Sequence, residues 1–206
     1  MKYLHGTECV RRLPPGQRNW RTPAAHKMLA ALAIAWGLLA VPITRAQSAK
    51  PTDYQVKAAY LYNFGRFVEW PAKVSATQTG SFSICVLGED PFGPALDATF
   101  AGEKIGNQKV VARRISDPHD SVDCQILFIS ASETNRLNKI IESLDKTAIL
   151  TVSDIPKFSQ RRGMIQLVLD GGRIRFEVNL TATQRAGLTL SSELLKVATA
   201  VRKDRE

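Results

Sequence analysis

The chain has 206 residues, a formal net charge of +9 and 44% hydrophobic residues, a composition that fits a globular protein rather than a disordered or low-complexity one. The excess of 28 Lys+Arg over 19 Asp+Glu invites a nucleic-acid reading, but seven of those bases and one acid lie in residues 1–46, which leaves 21 against 18, or +3. The remaining bases are scattered pairs such as Arg113-Arg114 and Arg161-Arg162, not a face that tracks phosphates, and nucleic acid drops out.

Residues 1–46 read as a cleavable secretory signal. Residues 28–41 (MLAALAIAWGLLAV) run for 14 positions without a charge, the length of a signal-peptide core and short of the ~20 residues of a membrane-spanning helix. Arg11, Arg12, Arg18, Arg21 and Lys27 precede it. Pro42 follows, and Thr44-Arg45-Ala46 supplies the small residues that a signal peptidase needs for a cut after Ala46. A retained membrane anchor is the alternative, and no second apolar run supports it. The expected organisation is a signal over 1–46, a polar joint over 47–52 and one α/β domain over 53–206, long enough for a single hydrophobic core.

Asp53 is an expected N-cap, and Val56, Ala59, Tyr60, Asn63, Phe64, Phe67 and Val68 follow at helical spacing as far as Trp70, where Pro71 ends the helix. Its aromatic residues fit a core-facing stripe. Residues 74–80 form a polar loop. Residues 82–87 (FSICVL) then read as a buried strand stopped by Gly88, residues 91–100 as a short helix, and 102–108 as a turn-rich loop. Strands are predicted over 109–115, 124–129 and 148–152, with a helix over 133–144 that places Leu137, Ile140, Ile141 and Leu144 on one face. This alternation predicts a Rossmann-like, mostly parallel sheet flanked by helices. Residues 164–169 and 173–178 flank Asp170-Gly171-Gly172, a strong hairpin signal. A brief helix over 179–185 ends at Gly187, and a terminal helix capped by Ser191 or Ser192 runs through Leu194, Leu195, Val197, Ala198 and Val201.

The sequence carries no recognisable catalytic motif. His5 and His26 fall in the leader, and His119 sits in a polar loop without a Gly-x-Ser-x-Gly nucleophile elsewhere. One His and two strand cysteines do not make a zinc site. The segment 88–93 (GEDPFG) lies where an α/β domain holds phosphate, yet Glu89 and Asp90 repel an anion, and neither a Walker lysine nor a Gly-x-Gly-x-x-Gly motif is present. No cofactor is expected, and no enzyme motif survives. Cys9 belongs to the leader, which leaves Cys85 and Cys124 on apolar strands, either as free buried thiols or as a disulfide; export favours the disulfide.

The segments 54–64 (YQVKAAYLYNF), 67–71 (FVEWP), 84–93 (ICVLGEDPFG), 124–130 (CQILFIS), 150–155 (LTVSDI), 163–165 (GMI) and 173–180 (RIRFEVNL), in this order, resemble the YfiR family over residues 53–202. The resemblance implies a periplasmic, non-enzymatic repressor that holds a YfiN-type inner-membrane diguanylate cyclase inactive through the cyclase's periplasmic sensor domain. In such systems an outer-membrane YfiB-type lipoprotein draws the repressor away, cyclic di-GMP rises and biofilm is promoted. Members of the family can dimerise and are redox-sensitive through cystines. Cys85 and Cys124 match one family disulfide, while a second cysteine pair found in some members has no counterpart over 159–169.

The hairpin adds a surface. Arg173, Arg175 and Glu177 alternate onto one face of the strand while Ile174, Phe176 and Val178 point inward. With Asn179 and Arg185 nearby, that face is the candidate partner surface; the alternative is a solvated sheet face. The rival function is a periplasmic small-molecule binding protein that uses the aromatic helix and the Gly88–Gly93 loop as its pocket.

Overall fold

A strand covered on both faces is buried throughout, as all four residues of Ile126–Ile129 and all four of Leu150–Ser153 are; the first run is wholly apolar, and the second alternates Leu150 and Val152 with Thr151 and Ser153. The computed structural model describes residues 51–71 and 80–203, all within one unit, residues 49–206. The expected signal over 1–46, most of the joint and most of the 74–80 loop lie outside the described residues.

Helix α1 (Asp53–Phe67) is capped by Thr52, not by Asp53. The Thr52 hydroxyl accepts from the Gln55 N–H, and the Gln55 side chain accepts from the Thr52 N–H, a reciprocal cap that satisfies two donors. The helix buries Ala58, Leu61, Phe64 and Gly65. That stripe is rotated from the expected one, so Phe67 is 37% exposed. Strand β1 (Val68–Glu69) follows and pairs antiparallel with β9 (Thr189–Leu190).

The main sheet runs β3-β4-β2-β5-β6-β7-β8-β10, where β2 is Ser81–Leu87, β3 Lys104–Ile105, β4 Gln108–Ile115, β5 Ile126–Ile129, β6 Leu150–Ser153, β7 Ile165–Asp170, β8 Arg173–Asn179 and β10 Ala200–Arg202. The five strands β4-β2-β5-β6-β7 are parallel, in the doubly wound order that steps out from β2 and then crosses back over it. Antiparallel β3 extends the sheet beyond β4, and antiparallel β8 followed by β10, parallel to it, extends it beyond β7. The expected Rossmann-like α/β domain is therefore the observed one.

Two cores flank the sheet. Ile84, Val86, Ile126 and Phe128 face one side, together with α1, Leu96 and Phe100 of α2 (Pro94–Phe100) and Leu194 of α5 (Ser192–Val197). Cys85, Leu87, Leu127 and Ile129 face the other, under α3 (Leu137–Ser143) and Phe158. The predicted terminal helix is shorter than expected: α5 stops at Val197, Ala198 is extended, and β10 pairs parallel with β8.

Candidate functional site: the charged face of the C-terminal hairpin

Strands β7 and β8 are joined by Gly171 and Gly172, with φ of 55° and 72°. Two consecutive positive φ angles define the tight turn whose twist matches that of the strands, and glycine takes them without a steric cost. The register is Asp170↔Arg173, Val168↔Arg175 and Gln166↔Glu177. Ile174, Phe176 and Val178 are buried, and Arg173 and Arg175 are exposed. Helix α1 fixes this strand from beneath: Phe64 and Tyr60 pack on Phe176 with ring centroids 5.2 and 5.7 Å apart, and the Tyr60 hydroxyl donates to the Ile174 carbonyl at 3.1 Å.

The charges on the outer face are unequally committed. Glu177 accepts from the Ser159 hydroxyl at 2.9 Å and from Arg202 Nε at 3.4 Å, so its carboxylate is used inside the protein. Arg175 stands 3.4 Å from Asp170, both exposed, and a pair of that kind costs little to open. Arg173 has no ion pair among the described residues. Leu169, beside the turn, is 64% exposed. The outer face therefore presents two guanidinium groups with Val168 across from Arg175, while Leu169, across from buried Ile174, belongs to the opposite face.

Asn179 and Arg185 lie elsewhere. Asn179 is fully buried; its Nδ2 donates to the Ser159 carbonyl at 2.9 Å, and its Oδ1 accepts from Ala182 N–H as the cap of α4 (Leu180–Arg185). A buried cap is not a contact surface. At about 3.3 Å per residue, the Asn179 end of β8 is roughly 20 Å from Arg173. Arg185 ends α4 and lines a cavity with Lys146, Arg162, Asp145 and Met164, so it belongs to a separate basic patch. Lys146 and Arg162 were not among the expected site residues; both take positive φ, 62° and 69°.

Cys85 and Cys124 are joined as a disulfide with Cα atoms 5.9 Å apart, both inside the second core. The carboxyl ends of β2 and β5, where sheets of this order bind ligands, are filled by the protein itself. The Glu89 N–H donates to Ser132 Oγ at 3.1 Å, and buried Glu133 pairs with Arg136. A methyl group on Gly88 would collide with both Ser132 and Glu133. Asp90 accepts from the Phe92 N–H and from Arg114, which also holds Asp97 and the Gly93 carbonyl. That hydrogen bond from Arg114 keeps the Asp97 carboxyl below the usual carboxylate range. The Gly88–Gly93 loop is thus tied down rather than open. His119 is exposed at a short 3-10 turn, its N–H capped by Asp117 at 2.9 Å. Among the described residues no cluster of His, Cys, Asp or Glu is placed to hold a metal ion, and no helix is long and apolar enough to cross a membrane.

These features define a doubly wound α/β domain with a cystine in its core, a filled switch point and a charged hairpin. The chain belongs to the YfiR/HmsC-like family, whose model matches residues 54–199; proteins of the YfiR type are periplasmic regulators of cyclic di-GMP signalling. Among solved structures, a conserved domain protein from Vibrio cholerae O1 biovar El Tor is similar at 14% identity with a TM-score of 0.44, covering 58% of this chain. The match spans 54% of that protein's length, a likeness too distant to bear on function.

Proposed function

We propose that the protein binds the periplasmic sensor domain of an inner-membrane diguanylate cyclase and holds the cyclase inactive, which lowers cyclic di-GMP. The observation that carries this reading is the family match over residues 54–199, almost the whole folded unit. It acts by binding, without a chemical step of its own. The contact surface is the hairpin, where Arg173 and Arg175 meet acidic groups of the sensor domain. A lipoprotein of YfiB type, or a second copy of the chain, competes for or adds to that complex.

The test is a pull-down of the cyclase's periplasmic domain by the wild-type protein and by R173E/R175E. The double charge reversal is expected to weaken binding by about tenfold or more, with circular dichroism unchanged. Unchanged affinity in a folded variant removes the hairpin from the contact surface.

A further inference from the structure

An open strand edge is a row of unpaired backbone donors and acceptors, which a protein either guards or uses to capture another strand. Strand β4 has β2 along one edge, and its other edge is covered only at the start. There β3 pairs with Gln108 and Lys109, and the Glu103 carbonyl accepts from the Val110 N–H at 3.0 Å. The Ile115 carbonyl accepts from the Gly88 N–H at the end of β2, so Ile115 turns its backbone inward. Strand alternation therefore turns the backbone of Val110, Ala112 and Arg114 outward. Among the described residues the N–H and C=O groups of Ala112 and Arg114 have no partner along that edge. Ala112 packs its methyl group against the core under α1 and yet stays only half-buried, so the exposure it keeps is at the backbone edge.

The uncommitted cations beside this edge share one face of the sheet. Lys109 and Arg113 are in register with Ser81 and Cys85, which puts them on the side of the cystine, with half-buried Val111 between them. Lys104 of β3 stands directly opposite Lys109 and so shares that face, a like-charge pair in register. Arg114, on the other face, is already held by Asp90 and Asp97. Among the described residues the one carboxylate paired with Lys104, Lys109 or Arg113 is that of Asp123, 3.9 Å from Arg113 and 77% exposed, a contact of little worth.

We propose that this edge takes up an extended acidic segment of a partner protein as an added strand. The segment's backbone pairs with Ala112 and Arg114. Its side chains alternate, so that carboxylates on one face meet Arg113 on one side of Val111 and Lys109 and Lys104 on the other, while small residues on the opposite face lie beside Ala112. A second copy of the chain is the wrong occupant, because pairing β4 with itself brings two sets of these cations together. The edge lies at the other end of the sheet from the hairpin, so this contact and the cyclase contact stand or fall separately.

The probe is a capped hexapeptide of alternating Glu and Thr. Alternating Lys and Thr is its charge-reversed counterpart, and alternating Glu and Pro is the counterpart whose backbone cannot pair. The readout is the backbone amide resonances of Ala112 and Arg114 in the 15N-labelled protein. The Glu–Thr peptide is expected to shift both saturably and to slow their hydrogen exchange, while the other two bind at least about tenfold more weakly. In A112P the lost N–H is an outward one, so no bond between β4 and β2 is broken. K109E/R113E reverses the charge and leaves the backbone as it is, which keeps the test open if A112P does not fold. Each variant is expected to weaken the Glu–Thr peptide about tenfold with an unchanged circular dichroism spectrum. No saturable shift up to about 10 mM peptide overturns the proposal, as does equal binding by wild type and both variants. A concentration-dependent dimer that A112P abolishes overturns it too, since the edge then belongs to a second copy.

Discussion

Single residues carry much of the constraint in this domain. Cys85 and Cys124 close a loop of 39 residues, and in the chain-entropy account such a closure stabilises by about 4 kcal/mol. Reduction, or replacement of both cysteines by alanine, is expected to lower the unfolding free energy by about that amount and to steepen the urea slope, because the unlinked chain exposes more surface. Two titratable thiols in the denatured, unreduced protein would contradict the cystine. Gly163 is set against the face of Phe158 so closely that a Cβ would strike the ring. Gly163→Ala is expected to cost about 1–3 kcal/mol through overpacking, read by thermal unfolding. Asp97 supplies the pH dependence. Its carboxyl is depressed in the folded state by Arg114, so its contribution is present above the unfolded value of about 4 and is lost as pH falls through the lower folded value. The Asp97 side chain is 57% exposed, which limits the effect to below about 1 kcal/mol. Asp97→Asn is expected to flatten the acid limb of the stability curve below about pH 4, measured by urea unfolding across pH.

At the scale of elements, α1 is the piece on which the hairpin depends. It rests on β8 through Tyr60 and Phe64, and it is pinned at its first turn by Asp154, just past β6. Lys57 Nζ lies 2.6 Å from Asp154 Oδ2 and 4.1 Å from the Tyr54 ring centre, and the Tyr54 hydroxyl donates to the same carboxylate at 3.1 Å. Both members of the ion pair are largely buried. Lys57→Met leaves that carboxylate without its cation, and a loss of about 2–3 kcal/mol is expected, with hydrogen-exchange protection falling first over α1. The strands were legible because both faces are covered, which makes 82–87 and 126–129 continuous apolar runs. The hairpin was legible because Asp170-Gly171-Gly172 offers two positions that accept positive φ. Strand β10 was not, since Leu194, Leu195, Val197, Ala198 and Val201 keep helical spacing, and only pairing with β8 turns Ala200–Arg202 into an edge strand.

For the whole molecule, the candidate site was legible in part. Period-two alternation placed Arg173 and Arg175 outside, because it depends on the strand alone. It could not foresee that Glu177 is taken up by Ser159 and Arg202, that Asn179 is buried as a cap, or that α4 carries Arg185 to another patch. What remains is a domain with its switch point filled, its cysteines joined and two of its cations displayed on a hairpin. Repression of a cyclase is the central claim, and the cellular level of cyclic di-GMP tests it most directly. In a strain lacking this gene, cyclic di-GMP is expected to rise and to return to its former level when the wild-type gene, but not R173E/R175E, is restored. A level that stays unchanged or falls on deletion would contradict the claim.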